Sequence, residues 1–484
     1  MRVVTVGGSV AGLATAALLA EAGHQVVVLD RAAQPPASSE ATADWHRPTV
    51  PQARHSHAFA SAGSAVIRDR FPLAAARLQE AGVGEVGLAD PPPPSLRPFT
   101  GDAGDDDLTM LLSRRNVLEW ALHRDTVSRS GVETRYRTKA VGLTVEAGRV
   151  TGVVLESGEE LACDLVVDAA GRRSPVPGWL TEAGVKVPTG ETTSAGITYY
   201  TRHYRRTGGR PGGPLNRGFG AGGLWDSYTA VLFLGDGDTF TISVGVSPQD
   251  EAFKGLREGP AFTALVAATA LLAGWLDPEV SEPTSEVVVM AGLTNSWTPV
   301  SDGEADGVVG VLPVGDAMCT TNPAYGRGVS LALTHAVRVA DRLGSADRLD
   351  DATFAALLAD ATEHYRPWYE EAVANDHART AMWAAAAAGG PPGPGGPADP
   401  QAPLPFGLIA ATAATDEYVW RRLVRTMMLL DHPQPLYRDP QVKQSVGRVL
   451  AAAGSPPPVT GATRSRAIAA VTATAPAREL AHAD

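Results

Sequence analysis

Cysteine is scarce: Cys163 and Cys319 stand far apart, with no CxxC pair. That excludes a disulfide scaffold, a zinc ribbon or a thiolate-built iron–sulfur site, and makes a reducing, cytoplasmic compartment the expected setting. Lysine is nearly as scarce. Lys139, Lys186, Lys254 and Lys443 are all there are, so basic charge is carried almost entirely by arginine. A formal net charge of −12 disfavours nucleic acid as a partner. Long apolar runs are few. Val3 to Ala20 is uncharged, but Gly7, Gly8 and Gly12 interrupt it and its period changes from strand to helix. It therefore reads neither as a signal peptide nor as a membrane span. Ala261 to Leu276 is also uncharged; it is short for a span and predicts a buried helix. The 44% apolar and 19% charged content of the 484 residues fits a globular chain of several domains. Oligomeric state is not legible.

What is there begins with MRVVTVGGSVAGLATAALLAEAGHQVVVLDR. Val3 to Val6 predicts a buried strand, Val10 to about Ala22 a helix closed by Gly23, and Gln25 to Leu29 a second strand. The turn between the first two, Gly7, Gly8, Ser9, Val10, Ala11 and Gly12, is a candidate phosphate cradle. Gly7 allows the tight turn and Gly12 lets helix and strand pack closely. The helix N-terminus presents amides to an anion. Asp30, followed by Arg31, sits at the tip of the second strand, where a carboxylate can accept from a ribose hydroxyl. The second glycine of GxGxxG is replaced by Ser9. This unit leaves NAD and FAD both open.

Four later segments bear on the choice. VPQARHSHAF, residues 50–59, carries Arg54, His55 and His57. An extended HxH points both imidazoles to one face, but no carboxylate or cysteine lies nearby in sequence, so no metal site is expected. LLSRRNVLEWALHR, residues 111–124, has an apolar helical stripe, with Arg114 at or just before the helix start. DLVVDAAGRRS, residues 164–174, is a strand running into a glycine turn, after a β-meander that turns at Ser157-Gly158. In residues 307–343 a strand ends at Gly315-Asp316, a Pro- and Gly-containing loop follows, and a helix opens near Gly328. A helix start aimed at a ring can stabilise developing negative charge.

Together, VPQARHSHAF, the SRR…L helix, DLVVDAAGRRS and VGDAMCTTNPAYGRG resemble the FAD-dependent monooxygenases of the aromatic-hydroxylase type. In motif they are most similar to the flavin epoxidases of polyether biosynthesis, such as those for monensin and lasalocid. The resemblance implies an α/β fold: a Rossmann-like FAD-binding domain of the glutathione-reductase type, a mixed β-sheet substrate domain and a C-terminal helical region. It implies that Gly7, Ser9 and Gly12 hold the pyrophosphate, Asp30 the adenosine ribose, Arg114 the phosphate or ribityl region and Asp316 a ribityl hydroxyl. Pro323 to Gly328, with Tyr325 and Gly326, would lie along the isoalloxazine. Arg54, His57 and Tyr325 become candidates to lie near the flavin. No catalytic side chain is required, because a flavin C4a-(hydro)peroxide would deliver one atom of O2 to the substrate. Electrons would come from NAD(P)H or as reduced flavin from a separate reductase. Where many relatives have Asp-Gly this chain has Ala170-Gly171, which leaves the nicotinamide partner open.

The implied reaction is epoxidation, or else hydroxylation, of a small apolar or polyketide-like substrate. Double-bond reduction of the polyprenyl-reductase kind and a non-catalytic flavoprotein remain as alternatives. Halogenation is disfavoured: none of the nine tryptophans forms WxW, and no lysine precedes Lys139. No second GxGxxG follows a strand, which disfavours a separate NADPH domain. The acidic run 101–107, GDAGDDD, lacks the spacing of a calcium loop and reads as a solvated turn. Expected boundaries are 1–75, 107–180 and 300–345 for a discontinuous FAD domain, and 76–106 with 181–299 for the substrate domain. The helical region covers 346–454 with a Gly/Pro-rich linker at 388–407, and 455–484 reads as a disordered tail. Thr239 to Val246, TFTISVGV, predicts a half-buried strand in a hairpin with YTAVLFL, turned by GDGD at 235–238. Such a sheet over a flavin would make an apolar, water-poor pocket.

Overall fold

The computed structural model describes residues 1–216, 220–299, 308–390, 403–452 and 461–474. Its N-terminal layer is a parallel five-stranded sheet in the order 311–313, 165–168, 2–6, 25–30, 132–136. The first strand, Arg2–Val6, is buried on both faces. Val3 packs with the helices Val10–Glu21, Arg115–Thr126 and Gly328–Leu343. Val4 and Val6 pack against the meander Ala140–Glu146, Arg149–Leu155, Glu160–Ala162. Two-sided burial is why the strand reads as a continuous apolar run rather than an alternation. This is the Rossmann-like domain expected from the sequence, with a mixed-sheet domain and C-terminal helices attached.

The second domain is built on an antiparallel sheet ordered 220–224, 228–234, 239–246, 198–206, 281–283, with 288–290 also paired to 198–206. The GDGD hairpin is as expected, with the Gly235 amide donating to the Thr239 carbonyl at 2.9 Å. Two expectations are corrected here. Thr239–Val246 is buried along both faces, not one: Phe240, Ile242 and Val244 meet the helix Gly259–Ala268, while Thr241 and Ser243 are covered by residues 55–57. The run 261–276 is not one helix. It breaks at Thr269, and its two parts meet at 114°. Among the described residues no single helix is long and apolar enough to cross a membrane.

Beyond residue 345 a 37-residue helix, Asp351–Ala387, crosses the molecule. The Gly/Pro-rich linker lies largely outside the described residues, and helix resumes at Phe406. The helices there are Phe406–Ala413, Glu417–Met427, Pro433–Arg438 and Pro440–Ala452. Leu88, Leu96, Leu108 and Met110 pack with these helices in one core, so 76–106 leans on the C-terminal region. The acidic turn is a short 3-10 helix, with Asp105 ion-paired to Arg421 at 2.8 Å.

The tail expectation needs correction as well. Arg464–Thr472 is a helix capped by Thr463, with Ala467 and Val471 buried against the substrate-domain core. The Ala462 amide donates to the Tyr228 hydroxyl at 2.7 Å, and Arg464 pairs with Asp250. The partners that order this Ala-rich segment lie more than 200 residues earlier. Residues 475–484 lie outside the described residues.

Candidate functional site: a cradle built from distant segments

The turn after the first strand has no room for side chains. Gly7 has φ +113°, and a Cβ there would stand 2.3 Å from the Ala169 carbonyl oxygen. A Cβ on Gly12 would stand 1.9 Å from the Gly7 oxygen. Ser9 stands at the N-cap position of the helix that begins at Val10 without a side-chain capping bond, and that helix's first-turn amides have no intrahelical acceptor. Ala11 faces the Gly315 region: a Gly315 Cβ would lie 2.9 Å from that of Ala11. The 315–316 turn is thus pressed against the cradle. Asp30 accepts from the Gly8 amide at 3.2 Å and the Ala32 amide at 2.8 Å, which fixes its carboxylate at the strand tip. Arg31 is exposed.

Beside the cradle lies a buried charge cluster that sequence reasoning did not find. Ser9 Oγ donates to Glu119 at 2.9 Å and accepts from Arg115 Nη2 at 3.0 Å. Glu119 also pairs with Arg47, whose guanidinium stands 3.9 Å from Asp30. Burial would raise the Glu119 carboxyl, but Arg47 and Arg115 outweigh it and hold it below its ordinary value. The only advance signal was the i,i+4 spacing of Arg115 and Glu119, which usually marks a solvated face.

Arg114, expected at the phosphate, is placed differently. Its guanidinium grips Asp236 through Nε at 3.0 Å and Nη2 at 2.7 Å, and its amide donates to the same carboxylate at 2.8 Å. Arg114 is the extended residue before the helix, at φ −72° and ψ 146°, whereas Arg115 is its first helical residue, so the two side chains leave the backbone in different directions. Arg115 therefore turns to Ser9 while Arg114 turns to the hairpin of the substrate domain.

Asp316 is half-buried, and among the described residues none donates a hydrogen bond to its carboxylate. Burial raises its carboxyl, opposed by Arg115 and Arg172. A cramped glycine cradle, an acid at a strand tip and a half-buried carboxylate with no donor among the described residues together fit a dinucleotide with a polyol arm. Asp168, by contrast, is satisfied by Ser174 at 2.7 Å and Ala170 at 3.1 Å, and burial moves it up to about 6.

The loop after Asp316 forms a 3-10 turn, Pro323–Tyr325, capped by Asn322 and ended by Gly326 at φ +64°. Pro323, Ala324 and Gly328 are exposed. A Cβ on Gly326 would lie 3.0 Å from that of Ala58, so this loop abuts the 50–59 segment. The Tyr325 hydroxyl donates to Asp376 at 3.0 Å. Burial, then the Asp376 and Glu371 carboxylates, push that phenol far above its ordinary value.

Within 50–59 the roles separate. The Arg54 side chain is exposed, and its carbonyl accepts from His203 Nε2 at 3.0 Å. His55 is buried and meets Thr201 Oγ1 at 2.8 Å. Burial pushes it down to about 4, helped by His203 and Arg54. His57 donates Nδ1–H to the His55 carbonyl at 3.0 Å, which leaves Nε2 as an acceptor. Burial, then the Arg115 charge, push His57 down to about 3, so it is neutral near pH 7. Ser56, Thr201, Thr241 and Ser243 form a hydroxyl chain with contacts of 2.6–2.8 Å. The sheet face under this segment is polar, not the apolar surface expected.

Residues 5–66 match the family described as an NAD(P)-binding Rossmann-like domain. Protein Rv3254 of Mycobacterium tuberculosis is 28% identical over 404 residues, covering 76% of this chain and 79% of its own. Among solved structures, the probable FAD-dependent monooxygenase PqsL of Pseudomonas aeruginosa superposes with a TM-score of 0.55 at 20% identity, over 79% of this chain and 96% of its own. The flavin-dependent brominase Bmp2 superposes with a TM-score of 0.59 at 14% identity, over 93% of this chain and 100% of its own. At these identities the likeness establishes architecture: this chain has the fold shared by flavin-dependent monooxygenases and halogenases.

Proposed function

We propose that this chain is an FAD-dependent monooxygenase that inserts one oxygen atom from O2 into an alkene or electron-rich ring of a polyketide-type natural product. Epoxidation is the first reading and hydroxylation the second. The observation that supports it is packing between distant segments: Asp30 accepts from the Gly8 amide at 3.2 Å, a Gly315 Cβ would lie 2.9 Å from that of Ala11, and a Gly328 Cβ 3.8 Å from Asp316 Oδ1. When bound, reduced FAD supplies the oxygen-activating chemistry. The protein's part is to bind, orient and exclude water.

In this reading the first-turn amides and Arg115 hold the pyrophosphate, Asp30 a ribose hydroxyl and Asp316 a ribityl hydroxyl. The exposed face of Pro323–Gly328 takes one edge of the ring. His57 offers a neutral Nε2 on the side of Arg115. Arg54 is free to meet an incoming reductant, NAD(P)H or the reduced flavin of a partner reductase. The chain's lack of any lysine before Lys139 supports oxygenation over halogenation despite the fold shared with a brominase.

The test is product mass under 18-O2 with reduced FAD and candidate alkenes. Gain of one labelled oxygen is expected. Gain of two hydrogens would replace the reading with a reductase, and FAD uptake without turnover on any substrate would replace it with a binding protein.

A further inference from the structure

Asp376, on the long helix Asp351–Ala387, is 1% exposed and accepts four hydrogen bonds. Asn322 Nδ2 (2.7 Å), Tyr325 Oη (3.0 Å) and Arg379 Nη2 (2.8 Å) donate to Oδ1. Asn295 Nδ2 (2.8 Å) donates to Oδ2. Three of these donors converge on Oδ1 and one on Oδ2, so the carboxylate is held from both of its oxygens. Two of the donors belong to the 322–326 loop. Asn295 belongs to the strand Thr294–Trp297, and its side-chain oxygen also accepts from the Asn322 amide at 2.7 Å.

The network continues into the substrate sheet. Asn322 Oδ1 accepts from the Tyr199 hydroxyl at 3.1 Å, and Arg379 donates to the carbonyls of Ala195 and Gly196, at the entry of the strand Thr198–Arg206. One carboxylate therefore fixes both the turn proposed to face the ring and the start of the strand that carries Thr201 and His203. All but the Tyr325–Asp376 and Arg379–Gly196 bonds are fully buried, where an unmet donor costs most.

We infer that Asp376 is a positioning residue: it sets the Asn322–Gly326 loop against the cofactor and couples that loop to the substrate sheet. The inference rests on the FAD reading above for its cofactor half. The loop half concerns only this chain. Asparagine at 376 would keep the shape but remove the charge opposite Arg379. It would also turn one acceptor into a donor facing the donors of Asn295, Asn322 or Tyr325.

The test has two parts. In apo-protein, Asp376→Asn is expected to raise hydrogen exchange of amides 319–328 about tenfold, the loss of a charge-assisted hydrogen bond, and to leave strand 25–30 unchanged. In FAD-loaded protein the flavin is expected to stay, since none of the four donors belongs to the glycine cradle. Its two-electron midpoint potential is expected to move by about 30 mV, a tenfold change in that equilibrium. Should Asp376→Asn not fold, Tyr325→Phe removes one donor and is expected to give the same pattern at smaller amplitude. Unchanged exchange at 319–328 would overturn the inference. Faster exchange with an unchanged potential would overturn its cofactor half. Faster exchange in a protein whose wild type takes up no FAD would uphold the loop half and overturn the FAD reading.

Discussion

Gly326 and Ala58 touch: the Cβ that Gly326 lacks would stand 3.0 Å from the Cβ of Ala58. The loop after Asp316 and the histidine-bearing segment near the N-terminus thus share one wall, although 268 positions separate the two residues. Gly326 is also left-handed, at φ +64°. Gly326→Ala is expected to cost about 1–2 kcal/mol in urea unfolding from the left-handed strain, with a further loss from the contact. Ala58→Gly added to it should recover the contact part only. If Ala58→Gly recovers nothing, the two segments are not packed as described.

Arg114 and Arg115 are expected to separate cleanly. Arg114→Ala removes the partner of a buried Asp236 and should cost about 2 kcal/mol of stability, with FAD affinity little changed. Arg115→Ala should weaken FAD binding by about tenfold or more, the value of one charge-assisted contact. Calorimetric titration beside thermal unfolding reads both. The reverse assignment would return the phosphate role to Arg114.

Stability should fall as pH drops below neutral. His55, His123 and His364 are moved down to about 4 and His57 to about 3, each by burial first. Between those values and the ordinary histidine value the unfolded chain binds more protons, so unfolding becomes easier as pH falls through that window. Asp168, raised to about 6 by burial, acts the other way between about 4 and 6. The histidines outnumber it. Urea midpoints from pH 7 to 4.5 should decline, and less steeply in His123→Asn. A flat or rising profile would contradict the burial of these rings.

The helix Arg464–Thr472 should be part of the folded unit. Tyr228→Phe removes the acceptor of the Ala462 amide and is expected to cost about 1–2 kcal/mol. Ending the chain at Ala452 should uncover the Phe253 and Leu256 side of the substrate domain and lower Tm further. An unchanged Tm on truncation would mean that the helix does not dock.

The parts legible in sequence were those fixed by local geometry. Gly7, Gly12 and Asp30 declare a strand–turn–helix unit because glycine sterics and period change act over a few residues. The GD turn at 315–316 and the hairpin at 235–238 were legible for the same reason. Choosing between Arg114 and Arg115 needed the position of Asp236, 122 residues away. Asp376 gave no signal beyond an i,i+3 arginine, since three of its four donors lie 51, 54 and 81 residues earlier. The last helix was hidden by composition: its few apolar side chains are ordered by another domain's core.

The central claim is that these distant segments form one FAD cradle. Calorimetric titration of purified apo-protein with FAD tests it most directly. A single equivalent bound per chain by the wild type, with affinity sharply reduced in Arg115→Ala and Asp316→Ala but not in Arg114→Ala, is the expected result. A folded, colourless protein that takes up no FAD would contradict the account.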